Sequence, residues 1–342
     1  MRGVKIAICK NATMRWLKKQ YMLYNRAMKQ KLSTEPYKGV RDFYPEDMAV
    51  QNYIFSVWRK VAESKKFGYQ EYNASILEYS DLYKSKGSDE IVNEQTYSFT
   101  DRGDREVTLR PEMTPSLARM VAARRKSLKF PLRWYSIPNV FRYERPQRGR
   151  RREHWQLNCD VLGIAGVEAD VEIISLAHAI MKAFGASDKD FVIKIGSRNA
   201  LTSALVHRKV QIENHKLIAR LIDRKGKMPE EERLAELNKL GGDLEIQESA
   251  DVAEIRKRLS EKGIQNTEFD ANIVRGFDYY TGMVFEVFDT APENRRSLFG
   301  GGRYDNLLEI FGVESVPTVG FGMGDITIRD FLETHGLPLS AQ

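Results

Sequence analysis

LRWYSIPNVFR (132–142), YERPQRGRRRE (143–153) and HWQLNCDVLG (154–163) follow one another without a break. The outer segments are rich in strand-forming residues and the middle one carries Pro146 and Gly149, so the stretch predicts two strands joined by a loop. Six arginines fall within the eleven positions 142–152. Upstream, Tyr97 to Thr100 and Val107 to Leu109 flank a turn at Asp101 to Asp104 and predict a second hairpin. Further upstream, Val50, Tyr53, Ile54, Val57, Trp58 and Val61 recur at helical spacing, with Gly68 as the stop. Downstream, a long helix is predicted at about 167–184, a strand from Phe191 to Ile195, and a charged helical stretch over 205–263. Strand character returns from Met283 to Phe288, a glycine-rich turn is expected at Gly300 to Gly302, and a last helix near Ile328 to Thr334. Hairpins grouped together with helices elsewhere argue for an α+β fold on an antiparallel sheet, rather than alternating βαβ units.

The chain has 342 residues, 42% hydrophobic and 30% charged, with a formal net charge of +7. That is enough for a sizeable core and excludes a disordered or collagenous chain. The positive charge is uneven. Residues 1–34 hold nine bases and no acid, leaving 45 bases against 47 acids over residues 35–342. The leader reads as a nucleic-acid-binding arm, as a transit-like segment, or as upstream sequence before a start at Met28. Cys9 and Cys159 are the only cysteines. They give no disulfide framework, and a reducing, cytoplasmic setting is the expectation. No apolar run is long enough to span a membrane. The five histidines lack ligand-like spacing, so no His/Cys metal site is expected, and the phosphate-binding Gly-x-x-x-x-Gly-Lys-Ser/Thr and dinucleotide Gly-x-Gly-x-x-Gly signatures are missing.

Four stretches carry possible chemistry, each beside a plainer reading. The arginine loop suits phosphate oxygens, since Arg offers a planar fork and so many like charges repel unless anions meet them; it also reads as a solvated basic hairpin. Arg142, at the strand end, is the best-placed ligand. Leu109-Arg110-Pro111-Glu112-Met113-Thr114 sets a carboxylate after a proline-stiffened strand end, suited to an ammonium group, or simply an acid in a helix's first turn. Val274 to Gly282 packs Arg275, Asp278, Tyr279 and Tyr280 between glycines, suited to a flat ligand or to a packed tyrosine corner. Phe299 to Asp305 would let a backbone approach a planar base closely, or is only a turn.

In order and wording these stretches resemble the catalytic core of the histidyl-tRNA synthetase family, class II aminoacyl-tRNA synthetases, over roughly residues 36–335. The resemblance rests on Gly39-Val40-Arg41-Asp42 to Pro45, Leu109 to Glu112, and Phe141-Arg142-Tyr143-Glu144-Arg145-Pro146 as motif 2. Arg275-Gly276-Phe277-Asp278-Tyr279-Tyr280-Thr281-Gly282 matches the histidyl signature, and Gly301 to Asp305 with Gly320 to Gly324 matches the motif 3 region. It implies a cytoplasmic homodimer whose subunits activate L-histidine with ATP and pass it to tRNA(His), with Mg²⁺ bridging phosphate oxygens. It further implies that Arg142 and Arg275 act on the α-phosphate, and that Glu144 and Arg303 serve ATP. Glu112, Thr114 and Gln156 would hold the histidine ammonium, Asp160 and Tyr280 would read its ring, and Tyr279 would also bind histidine.

The match has departures. Thr327 stands where motif 3 has its arginine, Asp160 where the family has Glu, and Ser75 where motif 1 has proline; Arg303 or a loop arginine is the expected substitute cation. The implied organisation is a basic extension (1–35), a catalytic domain in two parts (36–204 and 266–335), a helical insertion (205–265) and a tail (336–342). The family's anticodon-binding domain, of about a hundred residues, would follow Gln342, so a catalytic fragment or compact form is expected. The rivals are a catalytically silent paralogue that binds histidine as a regulatory subunit of histidine biosynthesis, and an RNA-binding module using the arginine loop.

Overall fold

The structure is a computed structural model that describes residues 14, 16, 18–22, 32–84, 94–226, 228–241, 244–274, 279–294 and 296–340. It divides into two compact units, Met1–Asp42 and Phe43–Gln342. Most of the basic leader lies outside the described residues; those of 18–22 are helical and exposed.

The long strand β7 (Glu153–Leu162) is the axis of the second unit. Its residues alternate: Leu157, Cys159 and Val161 are fully buried in the main core, while Gln156, Asn158 and Asp160 face the other way into a cleft. That is the period-two pattern of a strand. Among the described residues nine strands form the main sheet, in the order β1 (Gln70–Glu71), β5 (Leu132–Ser136), β7, β12 (Thr318–Gly324), β11 (Ser297–Arg303), β10 (Met283–Asp289), β8 (Phe191–Ser197) and β9 (Thr267–Phe269), with β6 (Asn139–Phe141) also on β7. Its centre is antiparallel, as expected. The edge pairs β1·β5 and β8·β9 are parallel, a feature too short to leave a sequence signal. A smaller sheet, β2 (Leu77–Tyr79), β4 (Glu106–Leu109) and β3 (Tyr97–Thr100), carries the expected second hairpin.

Helices Pro45–Ala62, Val167–Ala183, Ala250–Glu261 and Asp325–Thr334 cover the face opposite the cleft. Pro45 opens the first with Glu46 and Asp47 in its first turn and Arg59 and Lys60 in its last, each complementing the helix dipole. Trp58 on this helix is fully buried, its indole N–H directed at the Met323 sulfur (3.1 Å). Truncating such a side chain costs about 3–5 kcal/mol.

Three expectations change. The strand expected over 132–142 breaks after Ser136 into β5 and β6, since Pro138 has no N–H for a ladder. The glycine-rich turn at 300–302 is instead the middle of β11, with Gly300, Gly301 and Gly302 opposite Gly322, Phe321 and Gly320 of β12. The stretch 205–265 also divides. Helices Arg198–His207, Ile212–Asp223 and Glu230–Lys239 share a small separate core that includes Leu201, Leu205, Ile218, Leu237 and Val274. Val252, Ile255 and Leu259 of helix Ala250–Glu261 belong to the main core.

Candidate active site

The polar side of β7 and the glycine-bearing strands β11 and β12 form the floor of a cleft of about 490 Å³, counted to its open mouth. It is lined by Glu112, Thr114, Arg142, Gln156, Asp160, Tyr279 and Tyr280, with Asn158, Tyr304, Phe321, Gly300, Gly320 and Gly322. Seven of the ten residues expected from the sequence thus meet in one place.

Glu112 lies ahead of the helix Thr114–Ala123, whose first turn contains no acid, so it is not a helix-start residue. It is 3% exposed. Tyr279 Oη donates to its Oε2 (3.0 Å), while Oε1 is buried without a partner. Burial pushes the Glu112 carboxyl up to about 7, against the opposing pull of Arg142 and the Tyr279 bond. Asp160, 2% exposed, is likewise pushed to about 7 by burial, opposed by a bond from Tyr304. Tyr304 Oη donates to Asp160 Oδ1, and Oδ2 is buried and unpartnered. Burial raises the Tyr279 and Tyr304 phenols well above their ordinary range, so both remain donors. Rings 279, 280 and 304 pack together at 4.9–6.4 Å.

The floor needs glycine for steric reasons. Gly320 pairs with Asp160 across β7·β12, and a Cβ there would overlap Asp160 Oδ1; one on Gly322 would overlap the Gln156 amide. Gln156 Nε2 donates to Asn158 Oδ1 (2.9 Å). Asn158 was not among the residues expected from the sequence, and Tyr304 was marked only as part of the Phe299 to Asp305 run, without a role of its own. The alternation Gln156, Asn158, Asp160 between apolar residues was the available signal for the first; for the second, the pairing with Asp160 depends on a residue 144 positions away.

Arg142 sits where β6 ends. Its Nε donates to Pro111 O (2.8 Å) and its backbone N to Arg152 O (2.9 Å), which fixes the guanidinium at the cleft. Glu144 is not in the lining; Arg150 lies 3.5 Å from its carboxylate. The loop tip reaches the last helix, where Arg148 Nε donates to Asp330 (2.9 Å) and Nη2 to Thr334 (3.3 Å). Arg275 lies outside the described residues.

A family model described as Histidyl-tRNA synthetase matches residues 39–244 and 198–325. The chain belongs to the histidyl-tRNA synthetase family. The histidine–tRNA ligase of Leptospira biflexa is 44% identical over 335 residues, covering 90% of this chain and 76% of that protein. That of Thermoplasma volcanium is 40% identical over 333 residues, covering 90% and 76%. By family the chain is a class II aminoacyl-tRNA synthetase. Two solved structures share the fold. One is described as an ATP phosphoribosyltransferase regulatory subunit/histidyl-tRNA synthetase from Bacillus halodurans (TM-score 0.74, 24% identity, 88% of this chain and 84% of that one). The other is apo S. aureus histidyl-tRNA synthetase (TM-score 0.64, 24% identity, 90% and 72%).

Within this histidyl-tRNA synthetase framework, the expectation that Arg303 serves ATP is corrected. Arg303 is 7% exposed and engaged by Asp170 (2.9 Å), the Ile164 and Gly166 carbonyls (3.1 Å each) and Asp305 (3.4 Å). A guanidinium so neutralised ties β11 to the helix Val167–Ala183 and does not line the cleft. Thr327, at the motif 3 position, donates to Leu298 O (2.7 Å). Arg329 is paired with Asp47 (3.1 Å) and Glu333 (2.8 Å).

Proposed function

We propose that this chain activates L-histidine with ATP and transfers the histidyl group to tRNA(His). One observation carries the reading: a single cleft contains two buried carboxylates, each with one unpartnered oxygen, and an arginine fixed at its side. Buried polar atoms are almost always satisfied, so the orphaned Glu112 Oε1 and Asp160 Oδ2 suit a ligand bearing an ammonium group and a polar ring. Glu112, Thr114 and Gln156 would take the ammonium, and Asp160 with Tyr279 and Tyr280 the imidazole. The glycines of β12 make room for the Asp160 and Gln156 side chains, and a nucleotide would lie beside them in the same cleft. Arg142 would meet its α-phosphate with Arg275 as the second cation, and Glu144 would serve the adenine end.

The substrate carboxylate oxygen attacks the α-phosphorus; one P–O bond forms as pyrophosphate leaves with the electrons of the bond that breaks. The terminal ribose hydroxyl of the tRNA then attacks the histidyl carbonyl and adenosine monophosphate departs. Arg142 contributes by orienting and neutralising the phosphate, without a covalent nucleophile. Magnesium would accompany the nucleotide on its phosphate oxygens; among the described residues no group of three or more His, Cys, Asp or Glu side chains is arranged as a metal cage. A homodimer would use the exposed face of the small sheet, where Tyr79, Val107 and Phe99 align beside Leu77, Leu109 and Tyr97. Leu77, Tyr79 and Phe99 are exposed there, the kind of apolar patch that marks an interface.

Histidine-dependent exchange of labelled pyrophosphate into ATP tests the reading. Arg142→Ala should lower it by about 100-fold or more while histidine still binds. A second reading, a histidine-binding regulatory paralogue, is favoured by the motif 3 position, where Thr327 bonds to backbone and neither Arg303 nor Arg329 is free to replace the cation. Histidine binding with no exchange would establish that alternative; binding of neither histidine nor ATP would leave an RNA-binding role. Among the described residues no helix is long and apolar enough to cross a membrane.

A further inference from the structure

Near Asp160 lie two more buried polar atoms, the Tyr72 phenol oxygen and the Ser136 hydroxyl, which are close enough to influence one another but make no hydrogen bond of full geometry. Tyr72 follows β1 and its backbone N donates to Tyr135 O (2.8 Å), so its ring enters beside β5 and packs on Trp134 (5.6 Å). Trp134 and Ser136 of β5 pair with Asp160 and Asn158 of β7, which places both on the cleft side of the sheet. The Tyr72 phenol feels both neighbours. Burial raises it well above its ordinary range, the Asp160 charge adds to this, and Ser136 opposes it. It therefore remains protonated and able to donate.

Three such oxygens, Asp160 Oδ2 in the cleft lining and the Tyr72 and Ser136 hydroxyls outside it on the same side of the sheet, are a departure from the near-complete pairing of buried polar groups. Asp160 Oδ1 already accepts from Tyr304, and Gly320 lets the carboxylate lie close to the sheet. An aspartate is one methylene shorter than a glutamate, which keeps the carboxylate nearer its own strand, where its charge is felt by the Tyr72 phenol. A carboxylate oxygen has two lone pairs, one for a ring N–H and one for a hydroxyl behind it.

We propose that Tyr72 and Ser136 are positioning residues for ring recognition, closing a hydroxyl chain from Ser136 Oγ through Tyr72 Oη to Asp160 Oδ2 when an imidazole engages that carboxylate. The inference rests on the reading of the cleft as a histidine site. The chain fixes the carboxylate plane and supplies a donor to its charged form, so that its open lone pair meets a ring N–H at one position. It acts on the ring end of the ligand and leaves the ammonium and phosphate ends unchanged.

The test is steady-state pyrophosphate exchange with Tyr72→Phe, Ser136→Ala, Ser136→Thr, Asp160→Glu and the double variant Tyr72→Phe/Asp160→Glu. Tyr72→Phe should raise the histidine KM about tenfold, the size expected for one lost hydrogen bond to a charged acceptor, with kcat and the ATP KM within about twofold. Its preference for histidine over 1,2,4-triazole-3-alanine should narrow, which a purely structural role would not produce. Ser136→Ala should raise the histidine KM and Ser136→Thr, which keeps the hydroxyl, should not. In the Asp160→Glu background Tyr72→Phe should have less effect, since the longer carboxylate moves beyond the phenol. A histidine KM unchanged in both Tyr72→Phe and Ser136→Ala overturns the proposal, as does a parallel rise in the ATP KM. If Tyr72→Phe fails to fold, the two Ser136 variants decide. Wild-type protein that neither binds histidine nor catalyses exchange would refute the histidine-site reading itself, a result separable from any variant's behaviour.

Discussion

Replacing Glu112 by Gln should stabilise the ligand-free protein at pH 8 while removing its affinity for histidine. Burial moves the Glu112 carboxyl from 4.5 to about 7. Each unit is worth 1.36 kcal/mol, so ionising this group in the fold at pH 8 costs about 3 kcal/mol relative to the unfolded chain. Because the folded value lies above the unfolded one, the penalty is absent below about pH 4.5 and complete above about pH 7. Gln removes it but buries an amide N–H where Oε1 now lacks a partner, which offsets about 1–2 kcal/mol. The net gain at pH 8 is about 1–2 kcal/mol, a rise of a few degrees in Tm, shrinking or reversing at pH 5. Scanning calorimetry without ligand at both pH values measures this, and titration calorimetry measures the histidine affinity, which should fall about 100-fold or more. The same logic makes histidine binding by the unaltered protein weaken as the pH drops below about 7. A Glu112→Gln protein that is equally destabilised at both pH values, or that binds histidine within threefold of the unaltered protein, would refute the reasoning.

Gly320→Ala should abolish histidine binding and cost about 1–3 kcal/mol, because its Cβ would overlap Asp160 Oδ1; a variant with unchanged histidine KM would show the floor to be more compliant than the pairing implies. Arg303→Met leaves Asp170 buried without its cation and should lower stability by about 3–5 kcal/mol in chemical denaturation; a stable protein with only a raised ATP KM would restore Arg303 to the nucleotide site. Phe99→Glu, on the exposed apolar face of the small sheet, should shift a dimer to monomer in analytical ultracentrifugation, and an unchanged dimer would place the interface elsewhere.

Much of this site was legible in the sequence because its parts are local. Glu112 and Thr114 follow a strand end, Arg142 comes directly after a strand and before a loop, and Gln156 and Asp160 share one face of β7 by strict alternation. The histidyl signature could be read as a string, although Arg275 within it lies outside the described residues. What was misread depended on partners far along the chain. Gly300 to Gly302 has the composition of a turn, yet two neighbouring strands pair with it on both sides. Arg303 belongs to the same run, yet its carboxylate partner Asp170 is 133 positions away. Helix Ala250–Glu261 has the charge pattern of the insertion, but its apolar face is buried in the main core.

By itself, the sequence determined residue types and their local period: which strand has a polar face, where hairpins turn, which wording marks a synthetase of the histidyl family. Only the tertiary structure decided which charges neutralise one another and which are left for a ligand. Charge pairing depends on distances between segments that strand register brings together, and no local pattern encodes those distances. Hence two arginines that the sequence assigned to the nucleotide separated into one at the cleft, Arg142, and one held by the fold's own carboxylates, Arg303. By the same physics Glu112 and Asp160, ordinary acids in the sequence, became buried carboxylates with one oxygen each awaiting a partner.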